Sequence, residues 1–265
     1  MTKGETRVSD TFDFVVVGGG SGGCAVAGRL SEDAGTSVAL LDAGGRNDNW
    51  VVTTPGAIIL MLSGKINNWA FDTVPQKGLN GRIGYQPRGK GLGGSSAINA
   101  MVYIRGHRAD YDRWASLGNT GWSYADVLPY FKRSENNAEF DGEYHGQGGP
   151  LRVSGLRSDN PVKEMFLQGA REAQFRIRDD FNGAEQEGLG IYQVTQHEGE
   201  RWSAARGYIH PHMESRPNLR VETLAQATRI IFEGKRAVGV EYVQGKDKQK
   251  KVIRARREGI LAAGA

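Results

Sequence analysis

The chain is short of cysteine, of proline and of long apolar runs, and each shortage narrows what it can be. Cys24 is its only cysteine. No disulfide can therefore close within the chain, and a reducing compartment, the cytoplasm, is expected. Directly after a glycine, Cys24 reads as a small helix-packing residue rather than a nucleophile. The longest notable apolar run, Ala57 to Leu62, falls far short of the ~20 residues of a membrane span. The first ten residues are polar and lack the apolar core of a secretion signal. The expectation is a soluble protein, or at most one peripheral to a membrane. The five histidines show no metal spacing: His210 and His212 flank a proline, and neither a cysteine pair nor H-E-x-x-H accompanies them. No metal site is expected.

Charge of either sign is not in large excess. Thirty-four basic residues face 30 acidic ones, for a net charge of +4. The surplus is local, in Lys246 to Lys251 and Arg254 to Arg257, with no aromatic residue interleaved. That pattern suits the solvated rim of a hairpin better than a nucleic-acid surface, and no nucleic-acid partner is expected.

Glycine, in contrast, is abundant: 38 residues, about twice the usual ~7%, clustered in loops without a fixed period. The first cluster follows Asp13-Phe14-Val15-Val16-Val17. Gly18, Gly20 and Gly23 stand in G-x-G-x-x-G spacing, a helical pattern runs on to Leu30, and a second strand (Ser37 to Leu41) ends in Asp42. The first glycine permits a tight turn, the second close backbone approach to a pyrophosphate, and the third helix–strand packing. The helix then points its first N–H groups at the phosphates. An acid about 20 residues past the turn accepts hydrogen bonds from a ribose. The motif alone is weak, but strand, turn, helix, strand and acid occur in the required order.

The second informative cluster is Gly89-Lys90-Gly91-Leu92-Gly93-Gly94-Ser95-Ser96-Ala97-Ile98-Asn99, followed by Ala100 to Gly106. Small side chains, backbone donors and two hydroxyls suit a loop lying against a phosphate or a flat polar ring. A tight turn, with Asn99 satisfied by backbone, explains the composition equally well. Between the clusters, residues 75–90 are turn-rich and read as a long surface loop. Further on, helices are expected over 110–114, 124–131 (capped near Trp122-Ser123) and 160–173. Ile191 to Thr195 alternates like a strand, residues 203–214 are helical in part, and strands follow over 219–223, 228–232, 237–243 and 252–255. The closing stretch, Glu258 to Ala265, reads as a buried parallel strand. His145 to Pro150 punctuates the chain as a boundary.

These blocks together resemble the glucose–methanol–choline (GMC) flavin oxidoreductases. The resemblance rests on Gly18 to Gly23, on Leu40-Leu41-Asp42-Ala43-Gly44-Gly45 and on Gly89 to Asn99 continued through Tyr103, Gly106 and Asp112. That last block fits the family's first signature at every constrained position. Arg201 to Arg206 and Ser215 to Leu219 are further family-like stretches, and the likeness covers essentially the whole chain. It is strongest to bacterial alcohol dehydrogenases and choline dehydrogenases.

The resemblance implies FAD as cofactor. It implies contacts from Gly18, Gly20, Ser21, Gly23, Asp42 and Ala43, from Gly93, Gly94, Ser95, Asn99 and Val102, and from the backbone of Ala227. Most members carry glutamate at the Asp42 position, so the shorter side chain here reaches less far. Some relatives attach FAD through a histidine just before the asparagine; here that residue is Ile98, and non-covalent flavin is expected. The implied fold is α/β, a Rossmann-like FAD-binding domain with a mixed sheet and β-meander, plus the start of an α+β substrate domain. Residues 1–150, with a flavin-covering loop at about 65–90, and 215–265 would form the first, and 151–214 the second. The implied reaction oxidises the CH–OH group of an alcohol or choline-like substrate, with electrons passing to quinone or oxygen, in the cytoplasm or at the cytoplasmic face of a membrane. The family's catalytic base lies beyond residue 265, so no catalytic residue is assigned and the C-terminal half of the family fold is expected to be absent. The alternative is a flavin- or nucleotide-binding module without turnover. An NAD-dependent dehydrogenase is a third reading, since the first glycine turn serves both cofactors.

Overall fold

A run of β-branched residues that ends in glycine has two faces to bury and a sharp exit to make. In the computed structural model, which describes residues 10–245 and 247–264, both needs are met at the centre of one sheet. In chain order, the elements that frame it are β1 (Asp10–Val17), α1 (Ser21–Leu30), β2 (Val38–Leu41), β3 (Phe71–Asp72), β4 (Tyr85–Gln86), α2 (Ala204–Tyr208), β5 (Leu219–Glu222), β6 (Ala225–Glu233), β7 (Arg236–Gln244) and β8 (Gln249–Leu261). The strand order is β5-β2-β1-β8-β7-β6. β1 pairs in parallel with β2 and β8, and β2 with β5. β6, β7 and the first half of β8 form an antiparallel meander.

Alternation along the strands divides the core by face. Val16, Val38 and Leu40 pack with Cys24 and Ala27 of α1, with Ala204, Ala205 and Tyr208 of α2, and with Leu92. Val15, Val17, Ala39 and Leu41 pack on the other side with Ala225, Val240, Tyr242 and Ile253. Cys24 is fully buried, its thiol donates to the Gly19 carbonyl at 3.0 Å, and burial pushes its pKa up to about 12. It is an inert packing residue. Among the described residues no helix is long and apolar enough to cross a membrane.

β8 departs from expectation. The stretches read as two strands are one, and its last part, from Arg256 to Gly259, is exposed rather than buried. The cause is pairing: β7 follows β8 only as far as Arg254, so beyond that point β1 is its sole partner in the described sheet. The pairing is parallel, as expected, and its partner is β1. Of the basic run, Lys250 and Lys251 lie on the β7–β8 hairpin, with Lys250 4.0 Å from Glu241, Arg254 meets Glu233 of β6 at 2.7 Å, and Arg256 and Arg257 lie beyond the last residue paired with β7; Lys246 lies outside the described residues.

Contacts divide the chain into two compact units: everything up to Asn99 together with the chain from Ser203 on, and Ala100–Trp202. These units divide near residues 99 and 202, whereas the divisions expected from sequence lie near 150 and 214. Val194 bridges both Val102 and Ser154, which ties the stretches on either side of residue 150 into one unit. For the same reason Ile191 to Thr195 is no regular strand. Its partners are isolated bridges, and only Leu189–Gly190 and Gln196–His197 beside it are strands.

The second unit carries helices at Arg108–Ser116, Tyr124–Ser134 and Val162–Glu172. Ser123 caps the second, its hydroxyl accepting from the Asp126 N–H at 3.3 Å. The unit's interior holds a charged cluster. Glu135, fully buried, meets Arg105 at 2.8 Å and His145 Nδ1 at 3.1 Å, while His145 Nε2 meets Asp180 at 2.9 Å. With carboxylates at both ring nitrogens, both nitrogens must donate, so the ring is a cation. Burial opposes that charge, but hydrogen bonds to Asp180 and Glu135 outweigh it and raise the His145 pKa from 6.5 to about 9. A raised folded-state pKa contributes stability that is complete below the unfolded value and lost as pH rises through the folded one. The melting temperature is therefore expected to fall between pH 6.5 and about 9, with a flatter profile in His145→Gln. Parallel profiles in the two proteins would contradict this.

Candidate functional site

Two loops leave the six-stranded sheet on one side, after β1 and β2, and a third, which follows β4, meets them. Gly18 ends β1 at φ +99°, and a Cβ there would lie 2.6 Å from the Ala262 carbonyl oxygen at the end of β8. A Cβ on Gly23 would collide with the Gly18 carbonyl. α1 thus starts hard against the end of β1. Its N-cap, Gly20, supplies no side-chain acceptor, and its first turn has no acid. The positive end of the helix dipole is left to whatever enters from outside.

The second loop docks on the first backbone to backbone. The Gly93 N–H donates to the Gly19 carbonyl at 2.7 Å, and a Cβ on Gly94 would stand 2.7 Å from Gly20 Cα. Gly94–Ala97 then form one 3₁₀ turn. Ser96 holds that turn from behind, donating to the Gly93 carbonyl at 2.5 Å and accepting from the Ala204 N–H at 2.9 Å. Ser95 is left exposed. The third loop is tied in by Asp42, which accepts from the Gly19 N–H at 2.8 Å and the Gly44 N–H at 2.7 Å. Burial raises the Asp42 pKa against these backbone bonds. Asn47 completes the knot, donating to the Leu92 carbonyl at 3.1 Å.

Between the loops lies a cleft of about 610 Å³, within the size range of ligand sites. Of the residues expected from sequence, Gly18, Gly20, Ser21, Asp42, Ala43, Gly94, Ser95 and Ala227 line it. Gly23 and Gly93 buttress it from behind, both buried. Asn99 does not line it and is exposed rather than buried. Val102 belongs to the second unit and is 47% exposed. Trp69, Phe71 and Arg88, inside the loop at about 65–90 expected to cover the flavin but not singled out there, line the cleft too, as do Gln226 and, past the end of β8, Ala262 to Gly264. The apolar alternation Trp69-x-Phe71 and the basic Arg88-x-Lys90 abutting the glycine loop were the available signals. No histidine lines the cleft among the described residues. His107 caps a helix, His145 is ion-paired, His197 packs on Trp202, His210 contacts the Arg46 carbonyl and His212 contacts Arg216.

A crevice at the carboxyl ends of parallel strands, floored by glycine turns and a helix N-terminus, defines a nucleotide-binding fold of the doubly wound class. The model of the GMC oxidoreductase family matches residues 12–265, and the chain belongs to that family. It is 47% identical over 255 residues to the alcohol dehydrogenase (acceptor) of Pseudomonas putida, covering 96% of this chain and 46% of that protein. To mitochondrial choline dehydrogenase of Mus musculus it is 45% identical over 263 residues, 97% of this chain and 44% of that protein. Among solved structures, an FAD-dependent oxidoreductase from Chaetomium thermophilum matches with a TM-score of 0.86 at 31% identity, covering 96% of this chain and 45% of that one. The chain thus spans less than half the length of these relatives.

Asp42 gives a direct check on the knot. Asp42→Asn turns one acceptor oxygen into a donor facing a backbone N–H, and is expected to cost about 1–3 kcal/mol, read as a lower melting temperature. An unchanged melting temperature would show that the carboxylate does not tie the loops.

Proposed function

We propose that this chain is the FAD-binding part of an oxidoreductase that oxidises the CH–OH group of an alcohol, a primary or choline-like one, and passes the electrons to quinone or oxygen. The observation that carries the reading is the convergence of three glycine turns on one cleft, with Cβ atoms excluded where backbone must approach backbone. Gly20, Ser21 and Gly94 would hold the diphosphate, while Asp42 and Ala227 would hold the adenosine. Ser95, Asn99 and Val102 would stand by the ring. Bound FAD supplies the hydride acceptor for the alcohol carbon at flavin N5. The chain's own part is to bind and orient the cofactor: Gly93 and Asp42 fix the loops, and the start of α1 supplies positive potential to the phosphates.

Attachment is proposed to be non-covalent. Ile98, at the position where some relatives carry the linking histidine, is 2% exposed and packs with Val52, Met61 and Ala97. The proton-removing base is assigned to no residue of this chain. The substrate-domain role expected for residues 151–214 attaches, in this reading, to the second unit. We place the protein in the cytoplasm or at the cytoplasmic face of a membrane, from the resemblance alone. A second reading, a flavin-binding module without turnover, is favoured by one observation, the lack of a histidine among the described cleft residues.

The test is to purify the chain with FAD and follow its fluorescence, then precipitate it with acid. FAD should bind and return to the supernatant; a yellow pellet would contradict non-covalent attachment, and no binding would contradict the function. Alcohol-dependent dye reduction separates the enzyme from the binding module.

A further inference from the structure

Arg88 is the one cationic side chain among the described residues lining the cleft. Many of the chain's arginines meet a carboxylate, as Arg46, Arg220 and Arg256 do. Arg88 has no such partner among the described residues: its Nη1 donates to the carbonyl of its own neighbour, Pro87, at 2.8 Å. It is half-buried and lines the cleft, where among the described residues the only other charged side chain is Asp42. The Asp42 oxygens are themselves engaged by backbone N–H groups.

The backbone of Arg88 is held by hydrogen bonds that do not involve its side chain. Its N–H donates to Asn68 Oδ1 at 2.9 Å and its carbonyl accepts from the Trp69 N–H at 2.8 Å. Asn68 is buried and donates to the Met61 carbonyl at 2.9 Å and the Tyr85 hydroxyl at 2.8 Å. Beside it, the Trp69 and Phe71 rings stack at 5.6 Å between centroids, 9° apart in plane. Lys90 Nζ sits 4.1 Å over the Trp69 ring and does not line the cleft, so Arg88 alone is left to offer its charge there. A flavin dinucleotide brings two phosphate charges, whereas the helix end supplies only about half an elementary charge. A neutral flavin needs no counter-charge.

We propose that Arg88 is a cofactor-binding residue that pairs with the diphosphate of the bound flavin, so that the cleft selects the phosphorylated dinucleotide over neutral riboflavin. This rests on the reading of the cleft as the FAD site. Wild type, Arg88→Gln and Arg88→Lys are compared by quenching of flavin fluorescence, with FAD and riboflavin as probes, at low and high salt. Losing a charge-assisted hydrogen bond is expected to weaken FAD binding about tenfold or more in Arg88→Gln and to flatten its salt dependence. Arg88→Lys should recover most of the affinity, and the preference for FAD over riboflavin should shrink only in the glutamine variant. Equal loss for both flavins, or unchanged FAD affinity with an unchanged melting temperature, overturns the role of Arg88 and leaves the FAD reading standing. Wild type that binds no FAD overturns both.

Discussion

The hydrogen bond from the Gly93 N–H to the Gly19 carbonyl, 2.7 Å long, is the contact on which the site depends. It joins two segments far apart in sequence through backbone alone, and backbone can approach this closely only where side chains are missing. A methyl group on Gly94 would press on Gly20 Cα. The sheet sets where this contact forms. β1 leaves it between β2 and β8, so its exit at Gly18 is fixed by the registers Val17 with Leu41 and Val17 with Leu261. Core packing and the site are thus one construction: Leu92, beside the glycine pair, is fully buried under the same face of the sheet as Val16 and Leu40.

The two units handle charge in opposite ways. In the second unit, Arg105, Glu135, His145 and Asp180 neutralise one another around a buried centre. Such a cluster costs desolvation and is held by its geometry. In the first, the cleft keeps its charges apart: Asp42 is committed to the loops, and Arg88 meets no acid among the described residues. A charge-balanced cluster suits a framework, and an unbalanced one suits a ligand.

What could be read from sequence was what is local. Phe14 to Val17, the glycine turn and Asp42 gave the order strand, turn, helix, strand, because each signal acts within a few residues. The same holds for Ser123 as a helix cap. Signals that depend on distant partners were lost. Ile191 to Thr195 alternates like a strand, yet Val194 finds only isolated bridges to Val102 and Ser154. Asn99 breaks an apolar run and still ends exposed. Trp69, Phe71 and Arg88 fell within the loop that the resemblance placed over the flavin, but no spacing singled them out: the β3–β4 pairing of Phe71 with Gln86 and of Asp72 with Tyr85 shapes that loop. The family likeness carried the cofactor assignment; the residues alone allowed a nucleotide.

The measurement that bears most directly on this account is amide hydrogen exchange during an FAD titration. Residues 18–23 and 89–99 should gain protection together, with one midpoint, because one ligand is gripped by both loops at once. Protection confined to one of the two, or arising at separate midpoints, would show that they do not form a single site.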